Sequence, residues 1–188
     1  MVSVPLDQSS EGGRQENRRS QRDQAPNFES LPDSIPPQNL EAEEAVLGGI
    51  LLDPDAIGRV ADLLQPEAFY LNAHREIFRT ALMLHGQGKP TDLTAMSAWL
   101  ADTGSLEKVG GNGRLVELVE RVPSTASIEQ VARLVMDKFL RRQLIRSGNE
   151  VIKLGFDQSL PMEQVLDQAE QTIFCLLYTS PSPRDSDS

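Results

Sequence analysis

The chain has 188 residues, 39% of them hydrophobic and only 5% aromatic, and a net charge of −10. That length holds one domain with room for an appended element, and a core short of aromatics must be built from Leu, Val, Ile, Ala and Met, which favours helices. The charge excludes bulk attraction to nucleic acid or to an anionic membrane.

No apolar run approaches the roughly 18 residues of a membrane helix, and the N-terminus lacks the apolar stretch of a signal peptide. The single cysteine, Cys175, excludes an internal disulfide framework, and His74 and His85 are too few for a zinc site. A cytoplasmic protein is the expectation.

Residues 1–30 are Gln, Ser, Arg and Glu-rich and nearly free of large apolar side chains. They cannot bury enough surface to offset ordering entropy, so a disordered, solubilising leader is expected. Arg14, Arg18, Arg19 and Arg22 stand there among a similar number of acids.

Order is expected to begin at "LPDSIPPQNLEAEEAVLGGILL". Pro36 and Pro37 restrict the backbone, Asn39 is a good N-cap, and Glu41, Glu43 and Glu44 favour the positive end of a helix dipole. Leu40, Leu47 and Leu51, with the stem of Glu44, recur at helical spacing, and Val46 and Ile50 widen the stripe. Gly48 and Gly49 inside it cost about 1 kcal/mol each relative to Ala, which implies close packing of another element against the backbone there.

"LDPDAIGRVADLLQPEAFY" reads as a second helix, with Asp53 as cap, Pro54 at the opening, and Ile57, Val60, Ala61 and Leu64 on one face. A third starts near Asn72, with Ile77, Phe78, Ala81 and Leu82 inward, His74 in its first turn and His85 in its last. Asp92 caps a fourth, which carries Met96, Trp99 and Leu100 and stops at Gly104. A fifth starts at Asn112, with Leu115, Val116 and Val119 inward, and Pro123 stops it.

The longest pattern comes last. Ser127 and Gln130 match a capping box, and apolar residues then recur unbroken to Gly155. Roughly 27 helical residues span about 40 Å, longer than a small domain needs, so this helix is expected to protrude. "SLPMEQVLDQAEQTIF" supplies an antiparallel partner, with Met162, Val165, Leu166, Ala169 and Ile173 on one face. The fold class expected is all-α: a compact head of short helices at 31–124, then a long helical hairpin at 125–174.

The glycine-rich stretches fail as phosphate loops. In "HGQGKPT" a P-loop needs Gly where Met83 stands and Ser or Thr where Pro90 stands. In "VGGNGRL" Val116 takes the place of the last Gly of a dinucleotide fingerprint, with no strand before it. No catalytic, cofactor-binding or metal-ligating residue is assigned. One surface feature stands out: Lys138, Arg142 and Arg146 recur every four residues, joined by Arg141. The stripe reads either as a solvated face paired with Glu129, Asp137 and Glu150, or as a docking surface for an acidic partner or phosphate backbone.

Taken in order, "PPQNLEAEEAVLGGILLD", "FYLNAHREIF", "GKPTDLTAMSAWL", "VGGNGRLVELVERVPSTASI" and "NEVIKLGFD" resemble the N-terminal domain of the bacterial DnaB-type replicative DNA helicases over about residues 32–174. Ala45 stands where the family has Ser, and "VPSTASI" departs slightly from the family's last segment. The resemblance implies an all-α collar that assembles as dimers within a hexameric ring and docks primase. It also implies a parent in which a RecA-like motor, absent here, binds ATP and magnesium, contacts DNA and unwinds it. The outer face of the long helix, around Phe139, Arg141, Arg142, Ile145 and Val151, is the expected interface for collar packing or primase. Two rivals are a free-standing all-α adaptor of a helicase or primase, and a helix-turn-helix DNA binder, which the charge opposes.

The ending "CLLYTSPSPRD" back-translates without strain to the adapter of a transposase-based sequencing library. Residues 175–188 are therefore expected to be a non-native tail.

Overall fold

The computed structural model describes residues 35–122 and 127–179. Among them are seven α-helices and no strand: α1 Leu40–Leu52, α2 Ala56–Val60, α3 Asn72–Gly86, α4 Leu93–Asp102, α5 Gly111–Glu120, α6 Ile128–Phe156 and α7 Met162–Thr179. Short 3-10 turns at Pro66–Ala68 and Glu107–Val109 complete the head. The expected disordered leader lies outside the described residues, as do 180–188 of the tail; α7 itself continues past Phe174 to Thr179.

α1 is the hub, packing against α2, α3, α4, α5 and α6. Asn39 starts it as expected, its Oδ1 accepting from the Ala42 N–H at 3.0 Å. Ala42, Glu43, Val46, Leu47, Gly48, Gly49, Ile50 and Leu51 are all buried, so nearly the whole circumference is enclosed and no narrow stripe exists. Gly48 shows why: a Cβ there would lie 2.1 Å from the Leu118 carbonyl oxygen and 2.4 Å from Val122 Cγ2. The expected close approach is made by α5.

Several local readings are corrected. Asp53 does not cap α2; it ends α1, and its Oδ1 accepts from the Asp55 N–H at 3.0 Å. Ser127 precedes α6 but makes no side-chain cap bond. α5 starts at Gly111 and buries Leu115 and Leu118, leaving Val116 40% exposed. In α3 the inward set is Ile77, Phe78, Ala81 and Leu84, with Leu82 only partly buried. Asp92 caps α4 as expected, accepting from the Ala95 N–H at 2.9 Å.

The core contains Phe69 and Phe78, whose ring centroids are 4.9 Å apart, and the inward residues of α1 to α6. Trp99 sits at its rim beneath the Lys89 ammonium, 4.9 Å from the ring centroid.

Candidate interaction surface on the helical hairpin

α6 changes character along its length. Ile128, Ala132, Val135 and Phe139 are buried in the head, and no residue after Phe139 on this helix is. Its remaining turns pack on α7, where Val165 is the one buried side chain among the described residues. Leu144, Ile145, Ile152 and Phe156 of α6 and Met162, Leu166, Ile173 and Phe174 of α7 stay exposed, from 43% at Ile152 to 69% at Met162. Ile145, Ile152 and Phe156 recur at spacings of seven and four, one stripe along a helix; Met162, Leu166 and Ile173 do the same on α7.

The cleft between the two helices is of mixed character, with polar side chains such as Gln143, Arg146, Ser147, Glu150, Gln168 and Gln171 beside Leu154 and Leu176. The expected inward face of α7 is corrected in part: Val165 is buried and Ala169 half-buried, whereas Met162, Leu166 and Ile173 face solvent. Helical periodicity fixed the stripe but not the side it faces.

The five candidate interface residues do not share one face. Phe139 is buried at 4% exposure, inside the core and not on the outer surface. Arg142 points into the head: Nη1 donates to the Pro37 carbonyl at 2.7 Å and Nη2 to that of Ala68 at 2.5 Å. Its guanidinium lies over Tyr70 and Phe139, 5.6 and 5.9 Å from the ring centroids. Burial pushes Arg142 below the ordinary arginine range, against the pull of Glu43. Arg141 is exposed and donates to Asp137 at 3.0 Å; Ile145 is exposed and Val151 half-buried.

The basic stripe therefore divides. Lys138 and Arg141 pair with Asp137, Arg142 turns inward, and Arg146 lines the cleft. Glu129 serves elsewhere, bound by the Arg59 guanidinium at 2.6 and 2.7 Å; that hydrogen bonding is the main cause holding its carboxyl at about 2.

Two polar networks inside the head were not legible in the sequence. The buried Glu43 carboxylate accepts from the Tyr70 N–H and the His74 Nδ1–H, both at 2.7 Å. Glu44 receives Arg114 at 2.5 Å and Arg121 at 2.7 Å. Burial raises the Glu44 pKa, but the two arginines outweigh it and leave the carboxyl below its ordinary range. The adjacent acids of "EAEEA" signalled a helix start; nothing in their spacing marked one as buried.

Among the described residues no group of His, Cys, Asp and Glu could hold a metal, and no helix is long and apolar enough to cross a membrane. Gly88, at φ +68°, follows the end of α3, while Gly110 and Gly111, at φ +97° and +75°, turn the chain into α5. These glycines form interhelical turns.

The described residues thus form a helical head bearing a helical hairpin with apolar outer faces. The sequence profile of the DnaB-like helicase N terminal domain matches residues 35–137, and the chain belongs to that family. The replicative DNA helicase DnaB of Nostoc sp. is 56% identical over 140 residues, covering 74% of this chain and 16% of the relative. The replicative DNA helicase DnaC of Bacillus subtilis is 40% identical over 143 residues, covering 76% of this chain and 32% of the relative. The chain thus spans 16% to 32% of the length of these curated relatives. The crystal structure of the N-terminal domain of DnaB helicase from Mycobacterium tuberculosis superposes with a TM-score of 0.72 at 36% identity, covering 75% of this chain and 99% of that one. A DnaB-like replicative helicase, described with its interactions with primase, gives 0.67 at 27% identity over 80% of this chain and 33% of that one.

Proposed function

We propose that this chain is the collar of a replicative DNA helicase, the part that self-associates within a hexameric ring and docks primase. The observation that carries the reading is the pair of apolar stripes on the hairpin, from Ile145 to Phe156 and from Met162 to Ile173. Such stripes are stable in water when a complementary surface covers them. Family membership and the likeness to a helicase described with its primase interactions support the choice of partners.

In the parent protein a motor domain would bind ATP and magnesium, contact DNA and unwind it in the cytoplasm. None of those residues lies in the described head or hairpin. Within the collar, Arg141, Ile145 and Val151 remain candidates for the packing or primase surface, while Phe139 and Arg142 act from inside the head.

The test replaces Ile145 and Val151 together by Ala. Sedimentation should show weakened self-association, or calorimetric titration with primase a weakened complex. Retention of both at wild-type strength overturns the assignment of this surface.

A further inference from the structure

The proximal turns of α6 pack against α1, α2 and the Pro66–Ala68 turn, so the direction of the hairpin is set where that packing ends. After Phe139 the long helix buries no further residue, so its distal turns form a lever projecting from the head. Arg142 stands one turn beyond Phe139, at the pivot. It bridges two carbonyls from different segments, Pro37 before α1 and Ala68 in the turn before α3. Stacking against Tyr70 and Phe139 leaves its planar fork little freedom.

A partly buried guanidinium is costly to leave unbonded, so the lever is favoured in the one direction that satisfies both carbonyls. Arg141, adjacent in sequence, pairs among the described residues with Asp137 on its own helix.

We infer that Arg142 is a latch fixing the direction of the hairpin relative to the head, and that Pro37 makes this latch responsive to the chain entering α1. Displacing the segment at Pro37 removes one of two acceptors from a partly buried cation, and the lever then samples other directions. The inference concerns the pivot alone and stands whether or not the hairpin is the collar's interface.

Double electron–electron resonance tests it. Nitroxides are placed at Ala98→Cys on α4 and Gln158→Cys at the hairpin tip, in the full chain carrying Cys175→Ser. Labelled chains are diluted with unlabelled ones, so that only intrachain pairs report. The parent should give one narrow distance, and Arg142→Ala a distribution about twofold broader or with a second maximum. Arg142→Lys, which keeps the charge but cannot bridge both carbonyls, should broaden it too, and Arg141→Ala should not. Pro36→Gly with Pro37→Gly should broaden it less than Arg142→Ala.

Superimposable distributions for Arg142→Ala and the parent overturn the latch. An unchanged distribution in the double glycine variant overturns the role of Pro37. Loss of helical circular dichroism in both Arg142 variants also overturns the proposal, since Arg142 would then be a requirement of the fold itself.

Discussion

Glu43 Oε2 lies 2.7 Å from His74 Nδ1, joining α1 to α3 with both side chains buried. The other carboxylate oxygen accepts from the Tyr70 N–H at 2.7 Å, so one side chain closes the gap between the central helix and the start of α3. Glu43→Ala strands both donors in a dry environment and should cost about 3 kcal/mol. Glu43→Gln keeps an acceptor for Tyr70 and can meet the other histidine tautomer, so it should lose about half as much. Urea unfolding at neutral pH compares the two; equal losses would show that the carboxylate itself is required and that the amide's retained volume and hydrogen bonds do not substitute for it.

Gly48 and Gly148 make a matched contrast. Both lie inside helices, where Ala is favoured by about 1 kcal/mol on propensity alone. At Gly148 a Cβ meets nothing within 4 Å, so Gly148→Ala should stabilise by about 0.5–1 kcal/mol. At Gly48 a Cβ would strike the backbone of Leu118, which cannot rotate away, so α1 and α5 must part and Gly48→Ala should cost about 2 kcal/mol net. Opposite shifts in thermal midpoint are expected, and a stabilised Gly48→Ala would refute the close approach.

Acid should weaken the head through Glu44 and Glu129. Both carboxyls sit below their ordinary 4.5 in the folded state, so the unfolded chain binds protons first as pH falls. Their contribution is complete above about pH 4.5 and is lost on acidification, for Glu129 down to about 2. Glu129→Gln should flatten the fall in thermal midpoint between neutral and acid pH. A fall of unchanged steepness would show that the Arg59 pair does not contribute.

Leu166 is 61% exposed on α7, so a charge there meets water in the isolated chain. Leu166→Glu should change monomer stability by no more than about 0.5 kcal/mol. If the apolar stripes meet a second copy, burying that carboxylate should weaken self-association at least about tenfold. Sedimentation equilibrium measures the ratio; an unchanged association constant would place Leu166 outside the interface.

Helix number, two of the four expected caps and the long hairpin were legible because capping and periodicity are local: Asn39 and Asp92 cap through the N–H groups three residues on, within one turn, whereas Asp53 and Ser127 do not cap the helices they were expected to open. The family was legible too, in five ordered motifs and the paired glycines. Direction was not. Periodicity places Met162, Leu166 and Ile173 on one face without saying whether that face meets α6 or water. It likewise read Arg142 as surface, because the carbonyls it binds are 105 and 74 residues away in sequence. Glu43 and Glu44 look alike in the chain, yet adjacent positions on a helix point about 100° apart, toward His74 in one case and Arg114 in the other. The sequence alone determined which segments are helical and which residues share a stripe, since those depend on neighbours within a turn. The tertiary structure decided which stripes are covered and which charges are buried, since those depend on groups brought together only by the packing of distant helices.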